Sequence, residues 1–165
     1  MSVTNGFRQL SSETLSALKA DASAFEAVCR NYDDPSYLEM DKAGYELLFI
    51  LDPASVEFDN PDAETPFPGI TDVLSGGTTI HEKIDLGYGP AKIVCDESLH
   101  KSIQEIDALT LEQFTEMAMG NEILPEVLMC ELDESIIQDY HWPYLQSLAA
   151  FLREAIDQDL AVIRY

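Results

Sequence analysis

Basic residues are missing from two long stretches of this 165-residue chain: no Lys or Arg lies between Lys42 and Lys83, nor between Lys101 and Arg153. The second stretch runs from Glu105 through Glu112, Glu116, Glu122 and Glu131 to Asp139. A solvated face is the plain reading. A compact domain so imbalanced also repels itself, and a basic protein partner would relieve that repulsion. The whole chain carries 31 acidic and 9 basic side chains, a formal net charge of −22. Such a chain lacks the clustered Lys and Arg that nucleic acid or an anionic membrane surface requires.

The remaining composition is that of a globular protein. Hydrophobic residues make up 46% and charged ones 24%, enough apolar surface to fold rather than stay disordered. The length suits one domain that buries roughly 70% of its unfolded surface. The opening residues, Met1 to Arg8, lack the basic and apolar regions of a signal peptide, and no apolar run approaches the roughly 18 residues needed to span a bilayer. Cys29, Cys95 and Cys130 are odd in number and irregularly spaced, which suits reduced thiols in a cytoplasmic protein, with burial as small hydrophobes the default.

Periodicity predicts an α-rich chain. Leu15, Leu18, Ala22, Phe25, Val28 and Cys29 recur at helical spacing, giving one helix or two, with Asp21 as the cap if there are two. Tyr37 to Met40 reads as extended, and Asp41 as the N-cap of a buried helix through Leu51 that carries Gly44 in its first turn. From Asp52 to Pro68 four prolines and five acidic residues predict a long acidic surface loop, mobile or covering a site. A short helix over Gly69 to Leu74 stops at Gly76-Gly77. Ala91 to Cys95 is short, apolar and β-branched, as in a buried strand. Asp96 is expected to cap the next helix. Thr110 and Gln113 have capping-box spacing for another that ends near Gly120-Asn121. Asp133 to Trp142 and Tyr144 to Asp157 both read as helical, with Pro143 either kinking one helix or opening the second. Leu160 to Tyr165 closes the chain as a strand.

Few patterns carry chemistry. Gly87-Tyr88-Gly89-Pro90 precedes a strand, Pro90 removes an amide donor, and Lys92 stands where a dinucleotide fingerprint needs its third glycine, so a tight turn with positive φ at the glycines is the better reading. His81-Glu82-Lys83-Ile84-Asp85 echoes a zinc motif but has Asp in place of the second His, and no further ligand pair is evident. Asp59, Asp62 and Glu64 lack the spacing of a calcium loop. The expectation is no metal and no cofactor. Glu82 and Asp85, with Tyr88, form an alternative acid/base set beside the Gly87 turn. Tyr140, His141, Trp142 and Tyr144 combine aromatic area with polar tips, and core packing of Trp142 is favoured over a partner-binding role.

Several strings resemble one family over nearly the whole chain and in the right order. Met40-Asp41-Lys42-Ala43 followed by Leu47-Leu48-Phe49-Ile50-Leu51 is similar to the "LDKAW-x-x-L-H-F-L-L" segment of the YfbM-like family, bacterial proteins of unknown function. Gly76-Gly77 and then Asp85-Leu86-Gly87-Tyr88-Gly89-Pro90-Ala91-Lys92 resemble its glycine pair and "DLGYGPAR" motif. Ile123-Leu124-Pro125 and the ending from Leu148 to Tyr165 are similar to two more of its segments. Gly44 replaces the family's Trp, and Tyr45 and Leu48 stand where His is usual. The resemblance implies a single YfbM-like domain over residues 1–165, mixed α and β but α-rich, with helices packed on a small sheet that contains Ala91–Cys95 and Leu160–Arg164. It implies no reaction. The shared motif positions then shape the backbone, and acidity is left for recognition: a non-enzymatic module for a basic protein, in its sharpest form an immunity-like protein that neutralises a basic toxin or effector. The rival reading is a small-molecule-binding protein or hydrolase whose pocket gathers Asp41, Lys42, Glu82, Asp85, Tyr88 and Lys92.

Overall fold

The structure, a computed structural model, describes residues 6–52, 54, 64–84, 89–129 and 131–165. Five short strands, β1 (Gly6–Leu10), β2 (Tyr37–Glu39), β3 (Thr78–Thr79), β4 (Lys92–Val94) and β5 (Ala161–Arg164), form an antiparallel sheet in the order β2-β1-β5-β4-β3. The two predicted strands are therefore neighbours, with Ile93 opposite Ile163 and Val94 opposite Val162. No sequence pattern marks strand β1. All five of its residues are buried, so it lacks the polar-out alternation that marks a strand in sequence.

Alternation across the ladder assigns the two faces. Phe7, Leu38, Val94 and Val162 point to one face and join the larger core, where α3 (Ala43–Leu51), α4 (Pro68–Ser75), α5 (Asp96–Ala108), α6 (Leu111–Gly120) and α9 (Trp142–Asp157) contribute most of the apolar side chains. Leu10 and Ile163 point to the other face and pack with α1 (Ser12–Ala20) and α2 (Ala24–Cys29) through Leu15, Leu18, Phe25 and Cys29. The sheet thus separates a thin helical layer from a thick one. Two buried polar side chains of β1 serve opposite faces. Gln9 donates to the Phe151 carbonyl of α9 at 2.9 Å, whereas Arg8 turns toward α2.

Arg8 is 1% exposed. Its guanidinium donates to Tyr165 Oη (3.0 Å), Ser36 Oγ (3.2 Å) and the carbonyls of Cys29 (3.3 Å) and Asn31 (2.7 Å), and lies 5.2 Å from the centre of the Tyr37 ring. Tyr165 in turn donates to the Cys29 carbonyl at 3.0 Å. One planar fork of donors thereby ties β1, the end of α2, the turn before β2 and the residue after β5.

Local signals held in most places. Ser12 to Asn31 divides into two helices, but Ser23, not Asp21, is the N-cap of α2; Asp21 ends α1 and accepts from the amide and hydroxyl of Ser23. The Thr110 and Gln113 capping box is complete. The loop expected at 52–68 lies largely outside the described residues. Its final residue, Pro68, opens α4 at a position where no amide donor is needed.

Two further caps differ from expectation. Asp41 does not cap α3: it has φ +47°, and Lys42 occupies the N-cap position with no side-chain capping bond. Cys95, not Asp96, is the N-cap of α5, and Asp96 lies in the first turn, where its charge complements the helix dipole.

The segment around Pro143 is one continuous path. A short α8 (Glu134–Ile136) leads into a π-helical turn (Ile137–His141) that runs directly into α9, with the Trp142 amide bonding the Ile137 carbonyl. Proline clashes with the carbonyl four residues earlier. Here that residue is Asp139, inside the widened turn, so the wider spacing accommodates Pro143 without ending the helix.

Candidate functional site

The motif residues are spread over the fold. Asp41 and Lys42 follow β2 at one edge of the sheet, while Lys92 lies on β4 opposite Thr79 and Arg164, with β1 and β5 in between. Gly76 ends α4. Gly77 has φ +98°, and a Cβ there would stand 2.7 Å from the Ile93 carbonyl oxygen, so glycine is required for this turn to meet β4. Glu82 is exposed, in a turn where His81 Nδ1 accepts from the Lys83 amide at 3.1 Å. Asp85, Gly87 and Tyr88 lie outside the described residues. Gly89 has φ +100°, and Pro90 is half-buried at the approach to β4. The structure therefore does not gather Asp41 with Lys92. Among the described residues no group of three or more His, Cys, Asp or Glu side chains stands close enough to hold a metal ion.

Asp41 instead belongs to a polar clasp that sequence patterns did not reveal. Its Oδ2 accepts from the Tyr140 hydroxyl at 3.1 Å, and Glu46 on α3 meets His141 Nε2 at 2.8 Å. The two carboxylates come from the β2–α3 corner, and their partners are consecutive residues of the π turn. Burial and the adjacent Asp41 carboxylate push the Tyr140 hydroxyl pKa well above its ordinary value. His141 is 1% exposed, and its Nδ1 has no hydrogen-bond partner. Only the fold brings these groups together, because they are 99 and 95 positions apart in sequence. Their burial, with Tyr140 packed edge-on against both His141 and Tyr144, makes the clasp a fastening between α3 and the π turn.

The accessible feature is a groove bounded by α5, α6 and the start of α4. Glu105 of α5 accepts from the amides of Gly69 (3.0 Å) and Ile70 (2.9 Å), capping α4 from a neighbouring helix. Beside this contact lies an open recess of about 770 Å³, lined by Phe67, Lys101, Leu109, Gln113, Glu116 and Met117 among others. A second recess of about 530 Å³, with Ile50, Glu122 and Ile123 on its walls, shares Glu116 and Met117 with the first. The two recesses follow one another along α6, and together they are called the channel below. Close to α6 and α7 (Leu124–Leu128), Met119 is 45% exposed, Ile123 40% and Met129 90%. Met129 also has φ +55°, a left-handed conformation that non-glycine residues adopt at a cost. The acidic side chains of this half, Asp107, Glu112, Glu116, Glu122, Glu126, Glu131, Glu134 and Asp139, are exposed. Among the described residues, Asp107 alone of these forms an ion pair, with Arg153.

This is an α-rich single sheet-and-helix protein with an acidic, partly apolar channel and no metal centre among its described residues. The chain belongs to the family described as Domain of unknown function (DUF1877), whose pattern it matches over residues 1–165. Its fold is similar to the crystal structure of a protein of unknown function, YfbM from Escherichia coli, with a TM-score of 0.65 and 13% identity, covering 98% of both chains. No curated protein matches it. Among the described residues no helix is long and apolar enough to cross a membrane.

Proposed function

We propose that this chain is a non-enzymatic, cytoplasmic bacterial protein-binding module whose acidic helical face takes a basic protein, in its sharpest form an immunity-like protein that neutralises a basic toxin or effector. The observation that carries this reading is the exposed run of carboxylates from α5 to the π turn, of which, among the described residues, Asp107 alone forms an ion pair. Unpaired surface charge of one sign accelerates encounter with a partner of the other and makes association sensitive to salt.

The test uses the full chain as bait for host lysate at low ionic strength, followed by purification of any basic protein retained. Retention that is released by salt, and lost when Glu112, Glu116, Glu122 and Glu126 are changed together to Lys, supports the reading. Co-expression that restores growth against a toxic retained protein supports the immunity form. Failure to retain any basic protein at low ionic strength overturns both.

A further inference from the structure

We propose that the channel beside α6 receives an amphipathic, basic helical segment of the partner, which lays its apolar stripe on Phe67, Leu109, Met117 and Ile123 and turns its cations toward Glu116 and Glu122. This inference rests on the protein-binding reading and assigns it a location and a ligand chemistry.

The geometry is that of a helix-in-groove site. Two open recesses lie in succession along α6 and share Met117 and Glu116, and a helix about 10 Å wide suits an open, elongated surface of this kind. Methionine side chains are unbranched and polarizable, and they adapt to the shape of an incoming apolar surface. The channel's two walls differ in charge. On the α5 side Lys101 contributes a cation, and the Glu105 carboxylate is already held by the amides of α4. On the α6 side Glu116 and Glu122 are exposed, with Glu112 one turn before Glu116. A segment with one basic flank therefore has a preferred orientation, basic flank toward α6.

Charge also decides among occupants. A second copy of this chain would bring a body of net charge −22 against this acidic face, which repels. The chain's own residues 55–63 carry Glu57, Asp59 and Asp62 and no Lys or Arg, so they do not complement an acidic wall. A basic partner segment does.

The experiment measures fluorescence anisotropy of labelled 18-residue peptides with the intact protein at low salt. One peptide places Leu at positions i, i+3, i+4 and i+7 with Lys and Arg opposite. Its scramble has the same composition without the stripe. The expected result is at least tenfold tighter binding of the striped peptide. A Glu116→Lys, Glu122→Lys double variant should weaken that binding at least tenfold. Met117→Lys should do the same, while Glu13→Lys on α1, beyond the other face of the sheet, changes it less than twofold. The double variant alters only exposed side chains, so the test survives if Met117→Lys unfolds.

Equal affinity for both peptides, with the α6 variants no weaker than the α1 control, overturns the channel and leaves delocalised charge recognition standing. No peptide binding, while basic proteins are still retained, likewise overturns only the channel. If neither peptides nor basic proteins bind, both readings fall. Self-association that buries Met117, detected by sedimentation, overturns the channel in favour of a second copy.

Discussion

Arg8 ties together four segments that are distant in sequence. It does so through neutral oxygens and the Tyr37 ring, and its burial is tolerable because each arm of the guanidinium finds an acceptor. Replacing it strands those acceptors and leaves a cavity. Arg8→Ala should cost about 3 kcal/mol or more in urea unfolding, and Arg8→Lys should recover only part of this because an ammonium cannot reproduce the fork. Cys29, whose carbonyl serves the same network, has its thiol pKa pushed up to about 11 by burial, against an ordinary value of 9.0. The sign follows from linkage: a raised folded-state value gives stability that is present below the ordinary value and lost as pH rises through the raised one. Unfolding free energy should therefore decline between pH 9 and pH 11, and the decline should be shallower in Cys29→Ala. In a Cys130→Ser background a thiol reagent at pH 8 should modify exposed Cys95 rapidly and Cys29 only in denaturant.

At the scale of elements, α4 and α5 meet backbone to backbone at Gly69. A Cβ on Gly69 would lie 2.7 Å from the Ser102 amide nitrogen and 2.9 Å from the Lys101 carbonyl carbon. Both are backbone atoms that cannot swing aside. Gly69→Ala should force the helices apart and destabilise by about 1–3 kcal/mol, measured by thermal or urea unfolding. It should also loosen the hydrogen bonds from Gly69 and Ile70 to Glu105, which hydrogen exchange at those amides would report.

Elements with a local rule were legible in sequence: the Thr110–Gln113 box, the Leu145, Leu148 and Leu152 stripe, and the apolar runs that became β4 and β5. Those stabilised from a distance were not. Strand β1 hides because Arg8 and Gln9 are polar residues made buriable by partners far along the chain. Asp41 looked like a cap because it precedes a helix, yet its carboxylate is bonded to Tyr140. The π turn could not be told from a kink at Pro143, since both answer the same steric conflict. Of the candidate site, the acidity was visible but the channel was not, because Phe67 precedes α4, Leu109 follows α5 and Met117 lies on α6.

Taken as a whole, the molecule places a net charge of −22 around a core split by a narrow sheet. Like charges on one compact body oppose folding, and salt weakens that opposition as the screening length shrinks from about 30 Å at 0.01 M to about 3 Å at 1 M. The melting temperature should therefore rise on going from 10 mM to 0.5 M NaCl, while affinity for a basic partner falls. A melting temperature unmoved by salt would mean that the carboxylates do not act on one another.

The middle of the sheet is β5, and its neighbour β1 lies almost the full chain away: Arg8 and Tyr165, bonded to each other, are 157 positions apart. During synthesis β1 emerges with only the three residues of β2 to pair with, and it waits for nearly everything else before its second partner appears. Closing so large a ring is entropically slow. Ribosome-bound chains that stop short of Ala161 should consequently hold their helices in a loose, protease-sensitive state, with cooperative protection arriving only once the final strand slots in.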